Sequence, residues 1–179
     1  LSPRPPVDTS RYEVIRTFAT ARDGTKVPLS IVARRGLKRD GSNPALVDAY
    51  GSYQISNSPA FNVRGIAFLD QGGVLATAHV RGGGEYGRRW WKAGQKLAKP
   101  NTWRDAIAAT EWLIAQRYTS PDRVGIYGGS AGGQSALAAL IFPLDGIGPD
   151  GGAAVQALCN NFVAVAQFAL EHLRPASLP

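Results

Sequence analysis

Apolar and polar positions mark out the elements of this chain. Tyr12 to Ala19 has strand character. Lys26 to Arg34 alternates in part, with Val27, Leu29, Ile31 and Ala33 on one face, and reads as a second strand. Asp23-Gly24 between them is a hairpin signal, so the two strands are expected to pair antiparallel at a sheet edge. Pro44 to Tyr50, Gly73 to Val80 and Arg123 to Tyr127 are short apolar runs of the kind that form buried strands. Phe61 to Leu69, Pro100 to Gln116 and Gln134 to Phe142 read as helices. The second helix is expected to be capped by Asn101 or Thr102 and to turn Ile107, Trp112, Leu113 and Ile114 toward the core. Further on, Ala153 to Leu158 reads as a strand and Phe162 to Leu173 as a helix. Proline-rich Leu1 to Ser10 reads as an extended lead-in, leaving residues 11–179 as one domain.

Strands alternating with helices predict an α/β fold, a mostly parallel sheet with flanking helices. In such sheets ligands sit beyond the carboxyl ends of the strands. Tyr50-Gly51, Arg81-Gly82 and Ser130 fall at three of those ends. Segments far apart in sequence are therefore expected to meet at one mouth.

Ser130 carries the candidate chemistry. Gly128-Gly129-Ser130-Ala131-Gly132 is a Gly-x-Ser-x-Gly elbow, with an apolar strand pattern before it and a helical pattern after it. The turn is so tight that the serine is strained and the positions two before and two after must lack bulk. In return the hydroxyl is exposed at a helix N-terminus, where a developing oxyanion meets backbone N–H groups and the positive end of the dipole. A glycine-rich turn with an incidental serine is the plain alternative. The strand and helix on either side weigh against it.

Composition narrows the classes. A chain of 179 residues, 44% hydrophobic and 18% charged, suits one globular domain. No run is long and apolar enough to span a bilayer, and no signal-peptide pattern opens the chain. The compartment stays open, with the cytoplasm slightly favoured. The start at Leu1 and the lack of methionine lead us to expect a processed product or a piece of something longer. Cys159 is the one cysteine, so no internal disulfide forms, and it reads as a small core residue. With two histidines and one cysteine, no metal or other cofactor is expected. The net charge of +7 gathers in Arg34, Arg35, Lys38 and Arg39, and in Arg88, Arg89, Lys92, Lys96 and Lys99 around Trp90 and Trp91. Basic residues beside aromatics suit nucleic acid, but no nucleic-acid module is visible, so a solvated rim is the expectation.

Several segments occur in a telling order. They are Asp23-Gly24-Thr25-Lys26-Val27-Pro28, Ala49-Tyr50-Gly51, Val80-Arg81-Gly82-Gly83-Gly84-Glu85-Tyr86-Gly87, Tyr118-Thr119-Ser120-Pro121 and Gly128-Gly129-Ser130-Ala131-Gly132-Gly133. Over roughly residues 11–140 the chain resembles the catalytic domain of the prolyl oligopeptidase family of serine peptidases, which includes oligopeptidase B. The resemblance implies an α/β-hydrolase domain, in that family usually capped by a β-propeller that admits only short peptides. It implies Ser130 as nucleophile, with the Tyr50 hydroxyl and the Ala131 N–H as oxyanion donors. One donor beside the nucleophile and one from an earlier loop is what acyl transfer needs. Arg81 and Glu85 are expected to hold the glycine-rich loop, and His79 to be structural.

The pattern fades after about Leu140. The family places its acid and base well downstream of the serine, after two further strands. Here 49 residues follow Ser130, and each strand–helix unit takes roughly thirty. The expectation is an α/β-hydrolase-like domain that is C-terminally truncated and has no β-propeller. It would be an inactive fragment, a site with a substitute histidine and acid, or one of two chains that complete each other. Ser130, Asp145 or Asp150, and His172 stand in the hydrolase order of serine, acid and base, which makes Asp150 and His172 the candidates. A surface histidine beside Glu171 is the plain alternative. The first reading is a serine hydrolase of short acyl esters, because an alkoxide leaving group needs less acid assistance than an amine. Short-peptide hydrolysis and a non-catalytic binding or assembly module are the alternatives. A small ester or short peptide is the expected partner. A sheet cut short after the elbow would leave an unpaired edge, so self-association into a homo-oligomer is also expected.

Overall fold

The structure, a computed structural model, describes residues 8–58, 63–133 and 136. Strands β1 (Tyr12–Thr20) and β2 (Lys26–Arg34) form the expected hairpin, in register from Tyr12↔Arg34 to Thr20↔Lys26. Its turn closes through Gly24 N–H to Ala21 O at 2.8 Å and Thr25 N–H to Asp23 Oδ1 at 3.0 Å. Val27, Leu29, Ile31 and Ala33 are all buried, as the alternation requires. Val14 and Phe18 on β1 stay more than half exposed, as suits an edge strand.

There follow β3 (Ala45–Ala49), α1 (Val63–Asp70), β4 (Val74–Ala78), α2 (Gly87–Lys92), α3 (Pro100–Ala115) and β5 (Val124–Tyr127). Among the described residues the sheet order is β1-β2-β4-β3-β5. β3 is parallel to both β4 and β5, while β2 joins β4 antiparallel. The sheet is therefore mixed, with parallel pairing confined to the strands linked by helices. The order reverses at β3: the chain steps to β4 on one side and then returns to β5 on the other. Such a reversal opens a crevice at the carboxyl ends of the strands.

Helix α3 packs across the strands from β1 to β5 and supplies the centre of the core. Ala106, Ala109 and Leu113 are fully buried on it, Ile107 is buried, and Trp112 and Ile114 pack at the margin. Its small alanine face lets the helix lie close to the sheet. The expected caps are corrected. Asn101 Nδ2 donates to Ala93 O at 2.9 Å and Thr102 Oγ1 to Arg81 O at 2.7 Å, so both side chains serve the preceding loops. The helix starts instead on Pro100 at its first position, where the missing N–H is no loss. β3 is also less enclosed than its apolar run suggests. Ala45, Val47 and Ala49 are buried, but Leu46 is exposed opposite Gly125 of β5 among the described residues. Helix α2 has no sequence signal. It is held by Trp90, whose Nε1 donates to Val80 O at 3.1 Å and whose ring meets Tyr86 edge-on at 5.2 Å.

Candidate active site

The parallel register brings the site together. Asp48 pairs with Tyr127, so the residues just beyond β3 and β5 emerge side by side. Tyr50 follows β3 and the elbow follows β5. Ser130 has φ +53° and is exposed, with Ala131, Gly132, Gly133 and Ala136 helical behind it. A serine in that left-handed conformation is strained and persists because its surroundings fix it. Here they do. Gly132 N–H donates to Gly129 O at 2.8 Å and Gly133 N–H to Ser130 O at 3.0 Å. A Cβ on Gly128 would overlap the Gly132 carbonyl, and one on Gly132 would stand 2.7 Å from Ala49 O and 3.3 Å from Tyr50 Cδ2. The half-buried Tyr50 ring therefore packs directly on the elbow.

The loop after Tyr50 interlocks with the glycine-rich loop after β4. Gly51 has φ +62°, and its carbonyl lies where a Cβ on Gly82 would be. Gln54 N–H donates to Gly82 O at 3.3 Å. Three segments thus meet at one mouth, as the sequence predicts.

Arg81 secures that loop to α3. Its guanidinium is 7% exposed and faces the fully buried Asp105, with Nη2 to Oδ1 at 2.6 Å and Nε to Oδ2 at 2.9 Å. Its backbone N–H also reaches Asp105 Oδ2 at 2.9 Å, and Nη1 reaches Asp23 Oδ2 at 2.5 Å. Burial works to lower the guanidinium pKa, but Asp105 and Asp23 outweigh it and raise the value. At Asp23 burial works upward, and hydrogen bonds from Arg81 and Thr25 bring the carboxyl down to about 2. Glu85 Oε1 accepts from Asn57 N–H at 2.8 Å, tying the two loops. Arg81 and Glu85 are therefore holding residues, as expected.

His79 is engaged elsewhere. Its Nε2 and Ser30 Oγ on β2 share a 2.9 Å hydrogen bond, and its Nδ1 lies 3.7 Å from Glu85 Oε1. His172, Asp145, Asp150, Cys159 and the segments Ala153 to Leu158 and Phe162 to Leu173 lie outside the described residues. Among the described residues no group of His, Cys, Asp and Glu side chains is placed to hold a metal ion, and no helix is long and apolar enough to cross a membrane.

The basic clusters separate. Arg88, Arg89, Lys92 and Lys96 are exposed, as a solvated rim requires. In the first cluster, Arg34 donates to Asp70 O, Arg35 to Ser10 O, and Arg39 lies over the Tyr118 ring at 5.4 Å. Lys99 departs from the expectation. It is partly buried, and its Nζ donates to Gly51 O at 2.7 Å and Ser52 Oγ at 2.8 Å. Nothing in the run Lys96 to Lys99 distinguishes it, because its partners lie 47 and 48 positions away.

Comparison with known proteins agrees with this geometry. Residues 59–143 match the prolyl oligopeptidase family. The chain is 46% identical over 132 residues to dipeptidyl aminopeptidase BI of Pseudoxanthomonas mexicana, covering 73% of this chain and 18% of that protein. It is 41% identical to the prolyl endopeptidase of Elizabethkingia meningoseptica over 131 residues, again 73% of this chain and 19% of that one. Among solved structures, oligopeptidase B from Leishmania major superposes with a TM-score of 0.72 at 42% identity, over 76% of this chain and 19% of that chain. A prolyl endopeptidase structure gives 0.75 at 44% identity, over 77% and 20%. The chain spans about a fifth of the length of these relatives. In sequence and in fold alike, the matched stretch of this chain is similar to the α/β-hydrolase domain of the prolyl oligopeptidase family.

Proposed function

We propose that this chain supplies the nucleophile and oxyanion hole of a serine peptidase acting on short peptides. The observation that carries the reading is the exposed Ser130 at φ +53°, with the Tyr50 ring packed on its elbow. Ser130 Oγ bonds to the acyl carbon while a histidine takes its proton. The carbonyl oxygen gains charge and meets the Tyr50 hydroxyl and the Ala131 N–H. Collapse expels the amine, which takes the proton back from the histidine, and water then releases the acyl group. The hydrolase order of serine, acid and base proposes Asp150 and His172 for the remaining roles.

Peptides take the place of short acyl esters as the first reading. Relatives more than 40% identical carry peptidase names. Turnover of short proline-containing peptide amides and of a short-chain ester, side by side, tests this. Peptide turnover that Ser130→Ala abolishes supports it. Tyr50→Phe should lower the rate by about ten- to a thousand-fold. Serine-directed fluorophosphonate labelling away from Ser130, or turnover unchanged in Ser130→Ala, overturns it. Loss of turnover in His172→Ala with the fold intact supports that base, and full turnover removes it.

A further inference from the structure

We infer that Lys99 is a positioning residue that sets the Tyr50 hydroxyl by clamping the backbone just after it. This rests on Tyr50 serving as an oxyanion donor in the reaction proposed above. Tyr50 has no rigid element on its C-terminal side. β3 ends at Ala49, and the chain enters a loop in which Gly51, Tyr53 and Gln54 have φ of +62°, +55° and +59°. Two adjacent non-glycine residues in the left-handed region are costly and need contacts that over-determine them.

The contacts lie at both ends of the loop. At the far end Glu85 accepts from Asn57 N–H. At the near end Lys99 donates to Gly51 O at 2.7 Å and Ser52 Oγ at 2.8 Å. Lys99 sits where α3 begins, and α3 is the helix that packs across the sheet. The ammonium therefore ties the residue after Tyr50 to the start of the helix that packs across all five strands. It faces a carbonyl and a hydroxyl rather than a carboxylate, and burial pushes its pKa below the ordinary lysine value. A solvated rim lysine would avoid that burial. The carbonyl it holds also abuts Gly82, so a shift of Gly51 disturbs both loops of the mouth. A displacement of about 1 Å in a catalytic group is enough to cost roughly a hundredfold in rate.

The test pairs Lys99→Met, which keeps the stem and removes the donor, with Lys99→Arg, which restores a cation. It uses the full chain, with peptide turnover and backbone hydrogen exchange as readouts. Lys99→Met should lower kcat by about ten- to a hundredfold with KM within about twofold. Lys99→Arg should recover part of it. Added to Tyr50→Phe, Lys99→Met should cost little more, because both changes remove one donor's contribution. Exchange over residues 50–57 should quicken by about tenfold or more in Lys99→Met while β4 and β5 stay protected. A full further loss in the Tyr50→Phe background, or unchanged exchange over 50–57, overturns the inference. A wild-type chain without turnover, or Tyr50→Phe at the wild-type rate, sinks the proposed reaction instead, and the exchange result alone then decides the clamp.

Discussion

Replacing Arg81 by methionine removes the cation that neutralises Asp105 and keeps most of the side-chain volume. Asp105 is fully buried and Arg81 is 7% exposed, so neither charge can recover its solvation without opening the structure. Breaking one side of such a pair costs about 3–5 kcal/mol, most of it the penalty of a buried charge left alone. Asp23 adds little, because its side chain is 48% exposed. With a urea slope of about 2 kcal/mol/M, the unfolding midpoint should fall by roughly 1.5–2.5 M. Urea titration followed by far-UV circular dichroism and tryptophan fluorescence reads this directly. Asp105→Asn keeps the shape and still accepts from the Arg81 backbone, so it should lose less. Arg81→Met with Asp105→Leu should regain much of the loss, since no charge remains buried. The recovery should stop about 1–3 kcal/mol short, because Asp105 Oδ2 also accepts the Arg81 backbone N–H at 2.9 Å. A loss below about 1 kcal/mol in Arg81→Met, or a double variant as unstable as the two singles summed, refutes the reasoning.

The Asp23 carboxyl is held at about 2 against an ordinary 3.8, so its stabilising effect is present above pH 3.8 and lost as pH falls through 2. For a side chain this exposed the effect is about 1 kcal/mol, and it should appear as a wild-type advantage over Asp23→Asn that vanishes in acid. Gly132→Val should slow fluorophosphonate labelling of Ser130 by more than about tenfold, because the new Cβ would stand 2.7 Å from Ala49 O and 3.3 Å from Tyr50. Labelling at the wild-type rate would show that the elbow tolerates bulk. His79→Ala should lose about 1–2 kcal/mol by orphaning the Ser30 hydroxyl, with peptide turnover within about threefold. Abolished turnover would instead make His79 the base. Self-association is expected where β5 presents an unpaired edge among the described residues, and a monomer by light scattering at micromolar concentration would remove it.

What the sequence determined by itself is what acts over a few residues. Asp23-Gly24 between alternating strands specified the hairpin, and the small residues around Ser130, with a strand pattern before and a helical one after, specified the tight elbow. The buried face of β2 followed from its alternation, and on α3 Ile107 and Leu113 are buried as read, while Trp112 and Ile114 sit at the margin and Ala106 and Ala109 take the centre. The tertiary structure decided whatever depends on partners distant along the chain. Hydrophobic alternation fixes a strand's faces but not its neighbours, so the antiparallel joining of β2 to β4 was not legible. Asn101 and Thr102 look like caps, but loops folded against them take their hydrogen bonds. Lys99 looks like one more rim lysine until α3 is laid against the loop after β3 and its ammonium reaches Gly51. A charge takes its role from the groups around it, and those groups are assembled only when the chain is folded.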